Sequence, residues 1–232
     1  LIITTISVSY WPYFLISTNA NWLTYVLPTI IIFFDYILYK KNIPHHEYIY
    51  LLLPFIHPAF LFFPILYWLF NWSHKSLIIY GILAISIVIF KFSAFYPYSV
   101  FVHDPLRFDT LIKKINLIPN RNLARIFENK TTVPIEKIST NFFLFLDPNN
   151  YFFSLHPREL VGENQNLQKF YFLSIVFFFI GLYQLPRNKD FFWVITIFFS
   201  ATLSLSLVNN PDKYDFLVYV PMSLIIFSGV KH

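Results

Sequence analysis

The residues best suited to chemistry lie in Asn141–Lys169, NFFLFLDPNNYFFSLHPRELVGENQNLQK, which gathers Asp147, His156, Arg158 and Glu159 into one short run ahead of an apolar segment. An arginine offers two parallel donors to a phosphate. A carboxylate beside it can serve as a base. Together the four residues form a candidate site for a phosphate-bearing lipid or another substrate. The competing reading is a loop-ordering cluster, with Pro157 fixing a turn and Arg158 pairing locally with Glu159. Polar clusters on loops carry function more often than core residues do. No single catalytic residue follows from these types alone.

Other candidates are weaker in pattern. His45-His46-Glu47 and His103-Asp104 lack the spacing of a metal motif such as H-E-x-x-H, and adjacent helical residues do not converge on one ion; no metal site is expected. Asp35, His57 and Lys91 sit inside apolar runs. Asp35 lies five residues before Lys40, about 7.5 Å into its run at helical rise, and Lys91 lies five residues before Tyr96. If one crossing separates them, both fall near the same membrane face, where they pair or line one polar cavity. Otherwise Lys91 snorkels alone, and Asp35 takes a backbone or water partner. His57, between Pro54 and Pro58, reads as a satisfied polar group rather than a ligand. Four glycines leave no room for a phosphate-binding loop or a dinucleotide fingerprint. The aromatic runs ask for no pigment or haem, and no cofactor is expected.

The elements that must position these residues follow from composition. The 232 residues are 56% hydrophobic and 22% aromatic, with 12% charged, roughly half the share of an average soluble domain. The apolar residues are gathered into runs, which argues for membrane spans. A net charge of +5 fits loop lysines facing anionic lipid, not nucleic acid. Cysteine is absent, so disulfides and thiolate chemistry are excluded. The chain opens on apolar Leu1 without a basic leader, which reads as a trimmed product, a fragment or a non-standard start, not a cleaved signal peptide. Richness in Phe, Ile, Tyr, Asn and Lys suggests an AT-rich genome.

Leu1–Ser17 is a short candidate span, and Trp22–Tyr39 a full one with Pro28 inside it. Tyr48–Phe70 carries Pro54, Pro58 and Pro64, each of which removes a backbone hydrogen bond. It is a kinked span or a re-entrant hairpin. Ser76–Phe95 is a further span. Hydropathy then collapses over Tyr96–Gln168. There, Asp104-Pro105 opens an amphipathic helix with Phe108, Leu111, Ile112 and Ile115 on one face and an Asp109–Lys113 pair on another. Asn120–Asn129 and Thr132–Leu146 are further helices, and Asp147-Pro148 is a second cap-plus-proline pair. Phe170–Leu185, Phe191–Val208 and Phe216–Val230 are three closing apolar runs. The expectation is an all-α, polytopic integral membrane protein with six or seven membrane helices. It has three parts: residues 1–95, an extramembrane helical segment over 96–168, and residues 169–232.

If every run crosses once, Lys40, Lys41 and Lys213 stand on one side, against Lys75, Arg187, Lys189 and Lys231 on the other. The bias makes Pro186–Asp190 cytoplasmic and residues 96–168 extracytoplasmic. A re-entrant Tyr48–Phe70 moves Lys40 and Lys41 across and strengthens the same answer.

The order of Asp147-Pro148-Asn149, His156-Pro157-Arg158, a polar stretch and a span ending Ile180-Gly181-Leu182-Tyr183 resembles bacterial membrane glycosyltransferases of the protein-mannosyltransferase-like, GT-C class. It is similar to the end of their extracytoplasmic loop and the helix that follows. NNPDKYDFLVYVP, residues 209–221, resembles their final loop and span. The polar interval as a whole is more similar to small bacterial membrane proteins. The GT-C resemblance covers about a third of the chain. It implies a polyprenyl-phosphate-linked sugar as donor, with His156 and Arg158 at the lipid-linked phosphate. That class keeps its catalytic carboxylate in the first extracytoplasmic loop. The early loops here are STNAN, without a carboxylate, and KKNIPHHE, with Glu47. The resemblance therefore implies the C-terminal part of a longer enzyme or a non-catalytic relative. The rival expectation is a membrane scaffold or assembly subunit that binds a protein partner through residues 96–168. A transporter would call for inverted halves and more buried charge.

Overall fold

The computed structural model describes residues 22–71, 77–102, 105–117, 119, 129, 131–153 and 169–231. Leu1–Ser17, His103-Asp104, nearly all of Asn120–Asn129, and His156, Arg158 and Glu159 lie outside them. The described residues are helical, apart from turns and one antiparallel bridge between Ser99 and Val208.

Helix α1 spans Trp22–Lys40 and ends on a lysine, which complements the carbonyl end of the helix dipole. Two residues then take left-handed backbone angles, Asn42 at φ 53° and His45 at φ 61°. Such angles are uncommon for residues with a Cβ, and here they turn the chain back along α1. His46–Leu52 follows as a 3₁₀ helix, then α2, Leu53–Ile56, an extended residue at His57, a second 3₁₀ turn at Pro58–Phe60, and α3, Phe63–Phe70. Pro54, Pro58 and Pro64 each sit in a first turn, where the missing N–H costs nothing. The prolines therefore start short helices instead of kinking a long one.

The outcome is a hairpin. Tyr50 faces Phe63 and Tyr67 across it, with ring centroids 5.2 and 4.8 Å apart. Its tip, His57, packs against Tyr98 at 4.9 Å and Tyr214 at 4.7 Å. Helix α4, Leu77–Phe95, runs antiparallel to α3: Tyr80 meets Tyr67 near one end, and Phe95 meets Phe62 near the other. The stretch Ile78–Tyr98, 21 residues, is the one described helical segment long and apolar enough to cross a membrane, and only 22% of its most apolar window is buried.

Beyond it, α5, Pro105–Leu117, buries Leu111 but leaves Ile112 exposed. Lys114 of α5 pairs with Glu136 at 3.2 Å on α6, Thr132–Leu146. Asn141 of α6 donates to the carbonyls of Ser206 and Val208 at 3.1 and 2.7 Å, which satisfies carbonyls left over at a helix end. The Ser206 carbonyl closes α9, Phe191–Ser206, and that of Val208 lies just beyond it. The short α7, Asn149–Phe152, and α8, Ser174–Gln184, precede it, and α10, Phe216–Val230, ends the described chain.

Helices α8 and α10 meet backbone to backbone. A Cβ on Gly181 would lie 1.9 Å from the Ile225 carbonyl oxygen, and one on Gly229 would lie 1.9 Å from that of Phe177. Small residues permit this approach. Helix α10 is the centre of the molecule, with thirteen of its fifteen residues buried.

Two polar ends result. Lys40 reaches Asp190 at 2.6 Å, and the Tyr39 hydroxyl donates to the Lys189 carbonyl at 3.1 Å. Lys40–Glu47 therefore stands with Pro186–Asp190, not with the long polar interval. Tyr48–Phe70 is therefore a hairpin that doubles back on itself, not one kinked run from end to end. Lys40, Lys41, Arg187, Lys189 and Lys231 share this near end. The far end holds His57, Tyr98, Asn141, Lys169 and Asp215.

Candidate functional site

The near end is organised around Asp35. Its carboxylate is completely buried, an arrangement that is costly unless the charge is paired and hydrogen-bonded. Three donors meet it. His46 Nδ1 donates to Oδ1 at 2.6 Å, and Trp193 Nε1 donates to Oδ2 at 2.8 Å. The Tyr50 hydroxyl also donates to Oδ2. The three come from separate elements. The left-handed turn at Asn42 and His45 brings His46 back to α1, the 3₁₀ helix carries Tyr50, and α9 supplies Trp193 from 158 positions away.

His46 lies in the Lys40–Glu47 loop. Burial alone would lower its pKa, but the hydrogen bond and charge of Asp35, joined by the charge of Glu47, raise it above the ordinary imidazole value. Glu47 Oε2 stands 3.9 Å from His46 Nε2 and Oε1 stands 4.0 Å from His45 Nδ1. The arrangement favours a proton on Nδ1, facing Asp35, and leaves Nε2 beyond hydrogen-bond distance of Glu47. It also fastens the outward arm of the hairpin to α1 and α9.

A second carboxylate lies one layer nearer the surface. Asp190 accepts from the Tyr36 hydroxyl at 3.0 Å as well as from Lys40. Trp193 packs between the two clusters, 5.0 Å from the Tyr36 ring and 6.1 Å from that of Tyr39. Asp190 also borders a cavity of about 470 Å³ that includes Lys40, Arg187 and Lys231.

At the far end, Lys169 forms an ion pair with Asp215, donates to Asn150 Oδ1 at 2.9 Å, and stands over the Tyr151 ring. Phe170 stacks on Tyr219 at 5.6 Å. These contacts join the residues that precede α8 to the start of α10.

The sequence-derived candidates divide accordingly. Of Asp147, His156, Arg158 and Glu159, only Asp147 is described. It is half-buried and accepts from the Asn149 amide at 2.9 Å, closing a turn just before α7. His57 Nδ1 accepts from the Ala59 amide at 3.1 Å. Lys91 stands 4.9 Å from the centre of the Phe55 ring, near the tip of the hairpin. Asp35 has His46, Tyr50 and Trp193 instead. The expected closeness of Asp35 and Lys91 is thus corrected: the hairpin reverses the chain and leaves them toward opposite ends. Among the described residues, no three His, Asp or Glu side chains converge as a metal-binding set.

Sequence reasoning missed the Asp35–His46 pair, the roles of Tyr50 and Trp193, and the Lys40–Asp190 pair. A local signal existed for the first. His46 and Tyr50 follow Asp35 by 11 and 15 residues across a turn containing Asn42 and Pro44. No such signal points to Trp193. No protein-family model, curated protein or solved structure matches this chain.

Proposed function

We propose that the chain is a polytopic α-helical membrane protein, related to or part of a polyprenyl-phosphate-sugar-dependent glycosyltransferase. In this reading residues 96–168 lie on the extracytoplasmic side of the cell membrane. The membrane reading rests on an inverted distribution of polarity. Phe90 is 83% exposed and Phe192 79% exposed, while Asp35, Ser200, Thr202 and Ser204 are fully buried. Water would penalise such a surface, whereas hydrocarbon accepts it.

The observation that carries the glycosyltransferase reading is the meeting of its two GT-C-like stretches at one end. Residues 169–185 join 209–221 through Lys169 on Asp215 and Phe170 on Tyr219, and Asn141 reaches the carbonyl of Val208, the residue just before that stretch. A lipid-linked phosphate at the extracytoplasmic face would meet that end, with His156 and Arg158 as its contacts.

Membranes carrying the longer enzyme of which this chain is the C-terminal part are expected to transfer labelled sugar from a polyprenyl-phosphate donor. Arg158→Lys should lose nearly as much transfer as Arg158→Ala, because the two-pronged geometry goes while the charge stays. Full transfer with both variants at normal expression would refute this role for Arg158. No transfer by the folded protein would refute the enzyme reading.

One observation favours a scaffold that binds a protein partner. Helix α6 leaves Ile135 and Phe143 exposed, and α5 leaves Leu117 exposed. A stoichiometric partner lost on Ile135→Glu, in a chain without transfer activity, would select that reading.

A further inference from the structure

The near-end cavity has a chemistry that neither polar cluster uses. It opens between the ends of α1 and α10 and the turn joining α8 to α9, and encloses about 470 Å³. Among the described residues three cations border it, Lys40, Arg187 and Lys231, against the carboxylate of Asp190. Lys40 is committed to Asp190 at 2.6 Å. Among the described residues Arg187 makes a long 3.5 Å contact with the Tyr183 hydroxyl and a stacking contact with that ring, which leaves most of its five donors uncommitted. Lys231 is exposed.

The wall is mixed. Val194, Leu224 and Phe227 supply an apolar floor, and Ser228 adds a hydroxyl. Gln184 contributes a buried carboxamide oxygen that has no hydrogen-bond partner among the described residues. Leaving such a group unsatisfied is costly, so a natural occupant brings it a donor. A matching ligand has three features. It carries a phosphate for Arg187 and Lys231, a hydroxyl or similar donor for Gln184, and carbon atoms for the floor.

We propose that this cavity binds a hydroxylated phosphate ester at the cytoplasmic membrane face, with the headgroup of an anionic glycerophospholipid as the fitting form. Arg187 and Lys231 hold the phosphate, and Gln184 accepts from a glycerol hydroxyl. Lys40 stays on Asp190 and shapes the wall. The net positive lining favours an anion over a zwitterionic choline lipid, whose ammonium bears no N–H or O–H for Gln184. The lipid form rests on the membrane reading above. Free inorganic phosphate shares the anion chemistry but leaves the apolar floor unused.

Native mass spectrometry of the delipidated full chain tests this with three probes: phosphatidylglycerol, phosphatidylcholine and inorganic phosphate. Wild type should retain phosphatidylglycerol about tenfold better than phosphatidylcholine, and Arg187→Gln/Lys231→Gln should erase the difference. Lys41→Gln, a charge change at the same end but outside the cavity, should preserve it. A preference for inorganic phosphate over phosphatidylglycerol would overturn the lipid form. Equal retention of both lipids by wild type, or an unchanged preference in the double variant, would overturn the site. Gln184→Leu should weaken phosphatidylglycerol while leaving inorganic phosphate unaffected, and no change there would overturn the role of Gln184. Carbonate extraction separates the two levels. A chain that resists extraction but shows no lipid preference sinks the cavity and spares the membrane reading, whereas an extracted chain sinks both.

Discussion

Helices α4 and α10 are similarly apolar, yet they occupy opposite environments. Helix α10 is buried on almost every side. Helix α4 buries only a narrow stripe, Tyr80, Gly81 and Ala84, with Phe95 at its end. Hydropathy does not separate them; their small residues do. Gly229 of α10 meets the backbone of α8, whereas a Cβ on Gly81 of α4 would meet the Trp68 ring, at 2.3 Å. In a hydrocarbon setting, packing and buried polar groups decide which helix is central, because apolar side chains gain little by leaving lipid for protein.

The largest expected effect breaks the packed side at its polar anchor. Asp35→Ala removes the shared acceptor of His46, Tyr50 and Trp193, and stranding buried partners of a charge costs about 3–5 kcal/mol. The folded fraction in detergent should collapse, as read by thermal unfolding. Asp35→Asn retains an acceptor oxygen and should lose less. Equal stability of Asp35→Ala and wild type would remove the anchor.

Next comes the glycine contrast. Gly229→Ala drives a methyl into the Phe177 carbonyl and should cost about 2–3 kcal/mol. Gly81→Ala meets a side chain that can rotate and should cost well under half as much. Similar losses from the two substitutions would dissolve the distinction between the central and peripheral helices.

A smaller effect concerns pH. The folded state raises the His46 pKa, so protonated His46 contributes stability that is fully present below the ordinary imidazole value. That contribution is lost as pH rises through the raised value. Thermal midpoints measured across this window should fall for wild type. The fall should be shallower in His46→Asn. Parallel curves would show that the Asp35–His46 contact contributes nothing through protonation.

Much of this architecture was legible in the sequence. Thr132–Leu146 and Phe216–Val230 are helices over their expected ranges, and Pro105 opens α5. Those elements have local causes: periodicity, caps and proline at a first turn. The prolines of Tyr48–Phe70 likewise announced a broken path. Length alone could not choose between a kinked crossing and a hairpin, because that choice depends on Tyr50 meeting Phe63 and Tyr67 across the fold. The error over Asp35 and Lys91 followed from it, since one reversal of direction moves every later residue to the other end. Lys40 and Asp190 were visible as loop charges, but their pairing spans 150 positions and leaves no periodic trace.

In the proposed arrangement the chain crosses the membrane several times, with Lys40–Glu47 and Pro186–Asp190 on one side and residues 96–168 on the other. The absence of cysteine permits a direct measurement with single-cysteine variants and an impermeant maleimide. In intact cells Asn129→Cys should label, while Asn42→Cys and Asn188→Cys should label only after permeabilisation. Labelling of Asn188→Cys but not Asn129→Cys in intact cells would invert the orientation. Separation of Asn42→Cys from Asn188→Cys would contradict the hairpin, and equal labelling of all three would contradict the membrane fold itself.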